Sequence, residues 1–104
     1  PDAAVVGPLL AADRQHEIKA VMLVHNETSS GVTSNVPAMR RAIDDAKHPA
    51  LLMVDTISSL GSVDYRHDEW GVAVTGGGLR TGPSTELYRR TSAMRAPRRI
   101  TAWW

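Results

Sequence analysis

The chain has 104 residues, enough to bury one hydrophobic core, so it is expected to be a single small domain or a piece of a larger one. Hydrophobic residues make up 42% and aromatics only 5%, and there is no Cys, which excludes disulfides, thiolate chemistry and Cys-ligated zinc and fits a reducing, cytoplasmic setting. The net charge of +1 conceals a split: residues 1–75 carry six Lys/Arg against ten Asp/Glu, a balance of −4, whereas residues 76–104 carry six Arg against Glu86 alone, a balance of +5. Such an asymmetry marks a boundary, placed here between residues 75 and 76.

Pro1-Asp2-Ala3-Ala4 has no basic stretch leading into an apolar one, so no signal peptide is expected there, and the missing initiator Met points to a cut. No window approaches the roughly 18 apolar residues of a membrane-crossing helix. Leu9 to Glu17 is a modest helix candidate, with Leu9, Leu10, Ala12 and His16 on one side. Ile18 to Val24 is apolar nearly throughout, which predicts a strand covered on both faces, as in a parallel sheet. His25 to Asn35 is polar and punctuated by Gly31, so it reads as a loop.

Val36 to Ala46 predicts a helix. Ser34 or Asn35 offers the cap, Pro37 suits the first turn, and Val36, Met39, Ile43 and Ala46 recur at helical spacing. Pro49 disfavours helical geometry at His48 and ends it. Ala50 to Asp55 is a second buried strand and Gly71 to Thr75 a third, shorter one. Strand, loop, helix, strand is a βαβ unit, with parallel strands and a right-handed crossover. The fold class expected is therefore α/β, a partial parallel sheet. The polar segments that begin at His25 and at Asp55 both leave its carboxyl edge, where open α/β sheets bind ligands.

Three positions at that edge are candidate site residues. Asp55 follows a run of apolar strand residues, so its carboxylate is expected to be partly desolvated and to need a positive partner. A protonated heteroaromatic nitrogen would serve; a loop-capping role or a magnesium ligand are the alternatives. Thr28 offers a hydroxyl, within the run Thr28-Ser29-Ser30, to a phenolic oxygen or a phosphate, or simply to the turn itself. Ile57 can pack on a ring face or belong to the core. His16, His25, His48 and His67 have no metal-binding spacing, so no metal site is expected.

The segments His25-Asn26-Glu27-Thr28-Ser29-Ser30-Gly31-Val32-Thr33, Lys47 to Gly61 and Asp68-Glu69-Trp70-Gly71-Val72 resemble, in order and spacing, a class V, fold-type I pyridoxal-phosphate aminotransferase. The resemblance covers about residues 1–75 and is nearest to the serine–glyoxylate and alanine–glyoxylate branch. It implies a fold-type I large domain, a pyridoxal 5′-phosphate cofactor and a parent homodimer that moves an amino group from a small amino acid to a 2-oxo acid. It further implies that Thr28 bonds the phenolic oxygen of the cofactor, that Asp55 pairs with the pyridine nitrogen and that Ile57 packs on the ring.

The departures from the family pattern are as informative. Where the family has Asp in the strand after Trp-Gly-Val, this chain has Ala73. Where the family has Gly-Ser-Gln-Lys-Gly, whose Lys forms the Schiff base, it reads Gly78-Leu79-Arg80-Thr81-Gly82. An arginine cannot replace that lysine, because its guanidinium stays protonated. Only Lys19 and Lys47 remain, and neither matches the motif. The upstream phosphate-binding and ring-stacking residues and the downstream substrate-binding Arg of the family are missing too. The chain alone is therefore expected to be inactive. Beyond Gly76 the sequence is Arg-rich, lacks periodicity and reads as a disordered tail, the product expected of a shifted reading frame. Two other readings remain: a small non-catalytic α/β binding module, and nucleic-acid binding through the basic tail and Trp103-Trp104.

Overall fold

A computed structural model describes residues 1–79 and a two-residue strand at 86–87; for residues 78–79 and 86–87 it defines the backbone. The expected disordered tail otherwise lies outside the described residues. Two helices, α1 (Ala3–Ala12) and α2 (Val36–Asp45), accompany a three-stranded sheet of β1 (Ala20–Val24), β4 (Leu51–Asp55) and β5 (Val74–Gly76). Between β1 and α2 lies a small antiparallel pair, β2 (Asn26–Glu27) and β3 (Val32–Thr33), and a second pair joins β6 (Gly78–Leu79) to β7 (Glu86–Leu87).

The sheet order is β1-β4-β5, parallel throughout, with Val24 opposite Asp55 and Asp55 opposite Gly76. The structure thus has the expected α/β class and parallel sheet. Helix α2 begins and ends almost where its pattern predicts. The Asn35 side chain accepts the Ala38 N–H at 3.0 Å, and Pro37 in the first turn gives up a donor that has no partner there anyway. At its other end the N–H groups of Lys47 and His48 bond back to the carbonyls of Asp44 and Ile43, with Lys47 in the left-handed region at φ 50°.

Several expectations fail. The first helix is not Leu9–Glu17 but Ala3–Ala12, capped by Asp2, whose carboxylate accepts the Ala4 N–H at 2.9 Å. Downstream, the Asp13 carboxylate captures the N–H groups of Glu17 and Ile18, and His16 sits at φ 53°, which no helix accommodates. The third strand starts at Val74 instead of Gly71, because residues 66–72 close a turn, with Gly71 at φ 60° and Trp70 N–H bonded to the Arg66 carbonyl. The loop after β1 is in part a hairpin.

A further failure concerns the sheet faces. Among the described residues, the helices cover the strands on one face. Leu23, Leu52 and Val54 are buried against Leu10 of α1 and Val36, Met39 and Ile43 of α2, in one cluster with Val72. On the opposite face Met22 is 74% exposed and Val24 37%. An unbroken apolar run conceals the two-residue alternation that burial reveals. The same parity continues past the strand ends. Following Leu23 and Val54 by two residues, His25 and Thr56 are buried, whereas Asp55 falls on the open side.

Candidate functional site at the carboxyl ends of the strands

Chain parity and parallel pairing assemble this site. Val24 and Asp55 are register partners, so the segments leaving β1 and β4 start side by side, joined by the His25 N–H on the Asp55 carbonyl at 2.8 Å. Asp55 is exposed, contrary to the desolvated carboxylate expected from its apolar run, because the sheet face it stands on is uncovered. Its Oδ1 accepts the Ile57 N–H at 2.9 Å, a local turn that holds the carboxylate beside Ile57, itself 69% exposed. Thr28 lies at the exposed tip of the β2–β3 hairpin, where Ser29 N–H bonds the Glu27 carboxylate and Gly31, at φ 70°, returns the chain to the Glu27 carbonyl. The Ser29 N–H also holds the Glu27 carboxyl below the usual carboxylate range.

Asp55, Ile57 and the Thr28 hairpin thus share one edge, although no hydrogen bond links Thr28 to Asp55 among the described residues. The donor set suits a pyridine-type ring: an exposed carboxylate for a ring nitrogen, a hydroxyl for a ring oxygen and an aliphatic side chain for a ring face. No amine stands with them. Lys19 precedes β1 and bonds the His16 carbonyl, and its own carbonyl accepts the Leu51 N–H. Lys47 ends α2 just before β4. Both lysines therefore precede the strands, whose rise of about 13 Å separates their amino ends from Asp55.

Beneath the edge runs a seam that sequence reasoning missed. His25 is 2% exposed, and its Nδ1 lies 2.8 Å from the Oγ of fully buried Ser59. Asn26 and Ser58 pair alongside, with Ser58 Oγ donating to the Asn26 carbonyl at 2.6 Å and Asn26 Nδ2 donating to Ser58 Oγ at 3.3 Å. Tyr65 and Trp70 close on the imidazole with ring centroids 5.2 and 5.8 Å away. Burial pushes the imidazole toward its neutral form, which the nearby Asp64 charge opposes. The two-residue step from Leu23 to His25 was the available signal.

A cleft of about 350 Å³ lies nearby, bordered by Leu60, Tyr65, His67 and Thr75, but by none of Thr28, Asp55 or Ile57. Tyr65 Oη and His67 Nδ1 meet there on buried Thr75 Oγ1, at 2.6 and 2.5 Å, and burial raises the Tyr65 phenol above its ordinary range. Among the described residues no cluster of His, Cys, Asp or Glu side chains could hold a metal ion, and no helix is long and apolar enough to cross a membrane.

A parallel sheet whose carboxyl ends present a carboxylate beside a hydroxyl-bearing loop is the ligand edge of an open α/β domain. In sequence and in structure the chain is similar to a segment of the class V, fold-type I pyridoxal-phosphate aminotransferases. It is 61% identical over 70 residues to the L-aspartate–glyoxylate aminotransferase of Paracoccus denitrificans, covering 65% of this chain and 18% of that protein. It is 59% identical over 73 residues to the serine–glyoxylate aminotransferase of Methylorubrum extorquens, covering 70% and 18%. Among solved structures, the alanine–glyoxylate aminotransferase of a Nostoc species superposes with a TM-score of 0.63 at 30% identity, over 82% of this chain and 23% of that one. The chain thus spans less than a fifth of the length of these curated relatives. No protein-family profile matches it.

Proposed function

We propose that the chain carries the ring-binding part of a pyridoxal-phosphate aminotransferase site and, alone, performs no amino transfer. Asp55 is assigned the pyridine nitrogen, Thr28 the phenolic oxygen and Ile57 one face of the ring. When bound, pyridoxal phosphate supplies an electron-accepting pyridine ring, which lets a proton leave the carbon that carries the amino group. The part of Asp55 is to keep the ring nitrogen protonated, which an exposed carboxylate on a short turn can do by direct ion pairing. Thr28 Oγ1 fixes the ring's rotation about that axis, and Ile57 excludes water from one side.

The observation that carries the proposal is the placement of these three residues at one edge while both lysines stand at the other. The parent reaction we infer is transfer of an amino group from a small amino acid, of the serine or alanine type, to glyoxylate or a related 2-oxo acid, in a homodimer. The relatives' names differ in the donor and share glyoxylate. The test is reduction by borohydride after incubation with pyridoxal phosphate, followed by peptide mass mapping. No reduced adduct is expected at Lys19 or Lys47 beyond that of a denatured control, and specific labelling of either would overturn the inactivity. Equilibrium dialysis supplies the second arm. Asp55→Asn is expected to weaken retention of the ring about tenfold, the scale of one charge-assisted bond, and equal retention would remove Asp55 from the site.

A further inference from the structure

The two segments assigned to the ring are held by different elements, so their spacing has to be fixed by something between them. Backbone pairing alone fixes only its root, at the His25 N–H and the Asp55 carbonyl. Beyond that point the hairpin carries a left-handed Gly31 at an exposed tip and has only a two-residue ladder, which is marginal by itself. What ties it down is side-chain bonding to the turn after Asp55: His25 to Ser59 and Asn26 to Ser58. The Ser34 N–H then closes the far side of the hairpin onto the His25 carbonyl at 2.7 Å. His25 therefore touches the β4 end, the Ser59 turn and the return of the hairpin at once.

We propose that His25, through its bond to Ser59, is a positioning residue that sets the Thr28 hairpin against the Asp55–Ile57 turn. Its imidazole bonds none of the side chains of the exposed ligand edge, being buried between Tyr65 and Trp70 on the covered side of the sheet. The inference rests on the ring-binding reading for its purpose, but the seam can be tested without any cofactor.

Three variants of the full chain separate the contact from the packing. His25→Phe keeps a ring against Tyr65 and Trp70 and deletes the hydrogen bond. Ser59→Ala deletes the partner. His25→Asn returns an amide atom to about the place of Nδ1 and serves as the rescue. Backbone hydrogen exchange is read at Gly31 and Ser34 in the hairpin and at Ala46 at the end of α2, whose N–H bonds the Ala42 carbonyl. Losing one buried hydrogen bond should speed exchange at Gly31 and Ser34 about tenfold relative to Ala46 in His25→Phe and Ser59→Ala, with most of the change reversed in His25→Asn.

Pyridoxal 5′-phosphate is the probe for the second readout, by equilibrium dialysis, and its affinity should follow the same order. Hairpin amides that speed up no more than Ala46 would overturn the seam, because the contact would then serve stability in general. Faster hairpin exchange with unchanged probe affinity would overturn its positioning role. Failure of the unmodified chain to bind the probe would sink the ring-binding reading, and the exchange measurement would still decide the seam.

Discussion

The two ends of the sheet are built from similar residues and arranged to opposite effect. At the amino end Asp13 gathers the N–H groups of Glu17 and Ile18 and the Nε2 of buried His48, whose Nδ1 accepts the Ala50 N–H. That carboxylate is saturated by bonds, the Ile18 N–H first among them, and is held below the usual range. At the carboxyl end the buried histidine bonds a serine hydroxyl instead, and the carboxylate, Asp55, turns outward with a single backbone partner. A carboxylate consumed by its own fold has nothing left for a ligand. A carboxylate outside the core, held by a short turn, does.

The largest effect should come from the packing both ends share. Ile43→Ala or Leu52→Ala empties a fully buried position between α2 and the sheet and should cost about 2–5 kcal/mol, measured by urea unfolding. A cost near 1 kcal/mol would mean that the helices are loosely seated and that the ends are organised independently. His48→Ala follows. It strips partners from Asp13 and from the Ala50 N–H and should cost roughly 1–3 kcal/mol. Because this knot lies at the opposite end, the variant should leave exchange at Gly31 unchanged.

Acidification separates the ends by sign and range. Burial lowers the affinity of His25 for a proton below its ordinary 6.5, so the unfolded chain binds protons that the folded chain refuses. The associated stability is complete above about pH 6.5 and declines as pH falls through the folded value. The groups facing His25 are Tyr65, which stays neutral there, and Asp64, whose charge limits the decline. Glu27 and Asp13 contribute in the same direction only below their ordinary 4.5 and 3.8. Stability measured against pH should therefore fall in two steps, and His25→Phe should erase the upper one while leaving the lower.

These contrasts bear on what the sequence could reveal. The helix Val36–Asp45 was readable to a residue, since a cap, an early proline and a sustained helical period all agree there. The first helix was misplaced because Asp13, as good a cap as Asp2, acts here on the N–H groups that follow the helix. Thr28, Asp55 and Ile57 are proposed on the strength of strand ends and a resemblance. His25 and Ser59 escaped because a buried imidazole bonded to a serine has no motif, and only counting by twos from Leu23 reveals it. The open sheet face was illegible: apolar strand residues look the same whether or not anything covers them.

A small stabilisation should come from Lys47→Gly. Lys47 holds φ 50° at the end of α2, where glycine carries no Cβ penalty, so the replacement should gain about 0.5–1 kcal/mol. An unchanged or lower stability would mean that the Lys47 side chain contributes more than its backbone costs.

The smallest effect on folding is expected at Met22, and it tests the asymmetry of the faces most directly. Met22 is 74% exposed in the middle of edge strand β1, in register with Met53, while its neighbour Leu23 is buried. If that face is uncovered, Met22→Lys removes nothing that folding relies on and should change unfolding free energy by no more than about 0.5 kcal/mol. The same substitution puts a charge on an apolar edge strand, the usual means of blocking edge-to-edge pairing. Light scattering against concentration should therefore show less self-association for the variant than for the unmodified chain. Leu23→Lys, one residue further on, should prevent folding, since it buries an unpaired charge. A cost of 2 kcal/mol or more at Met22 would show that something covers the face after all, and would place Asp55 in a more enclosed setting than its exposure indicates.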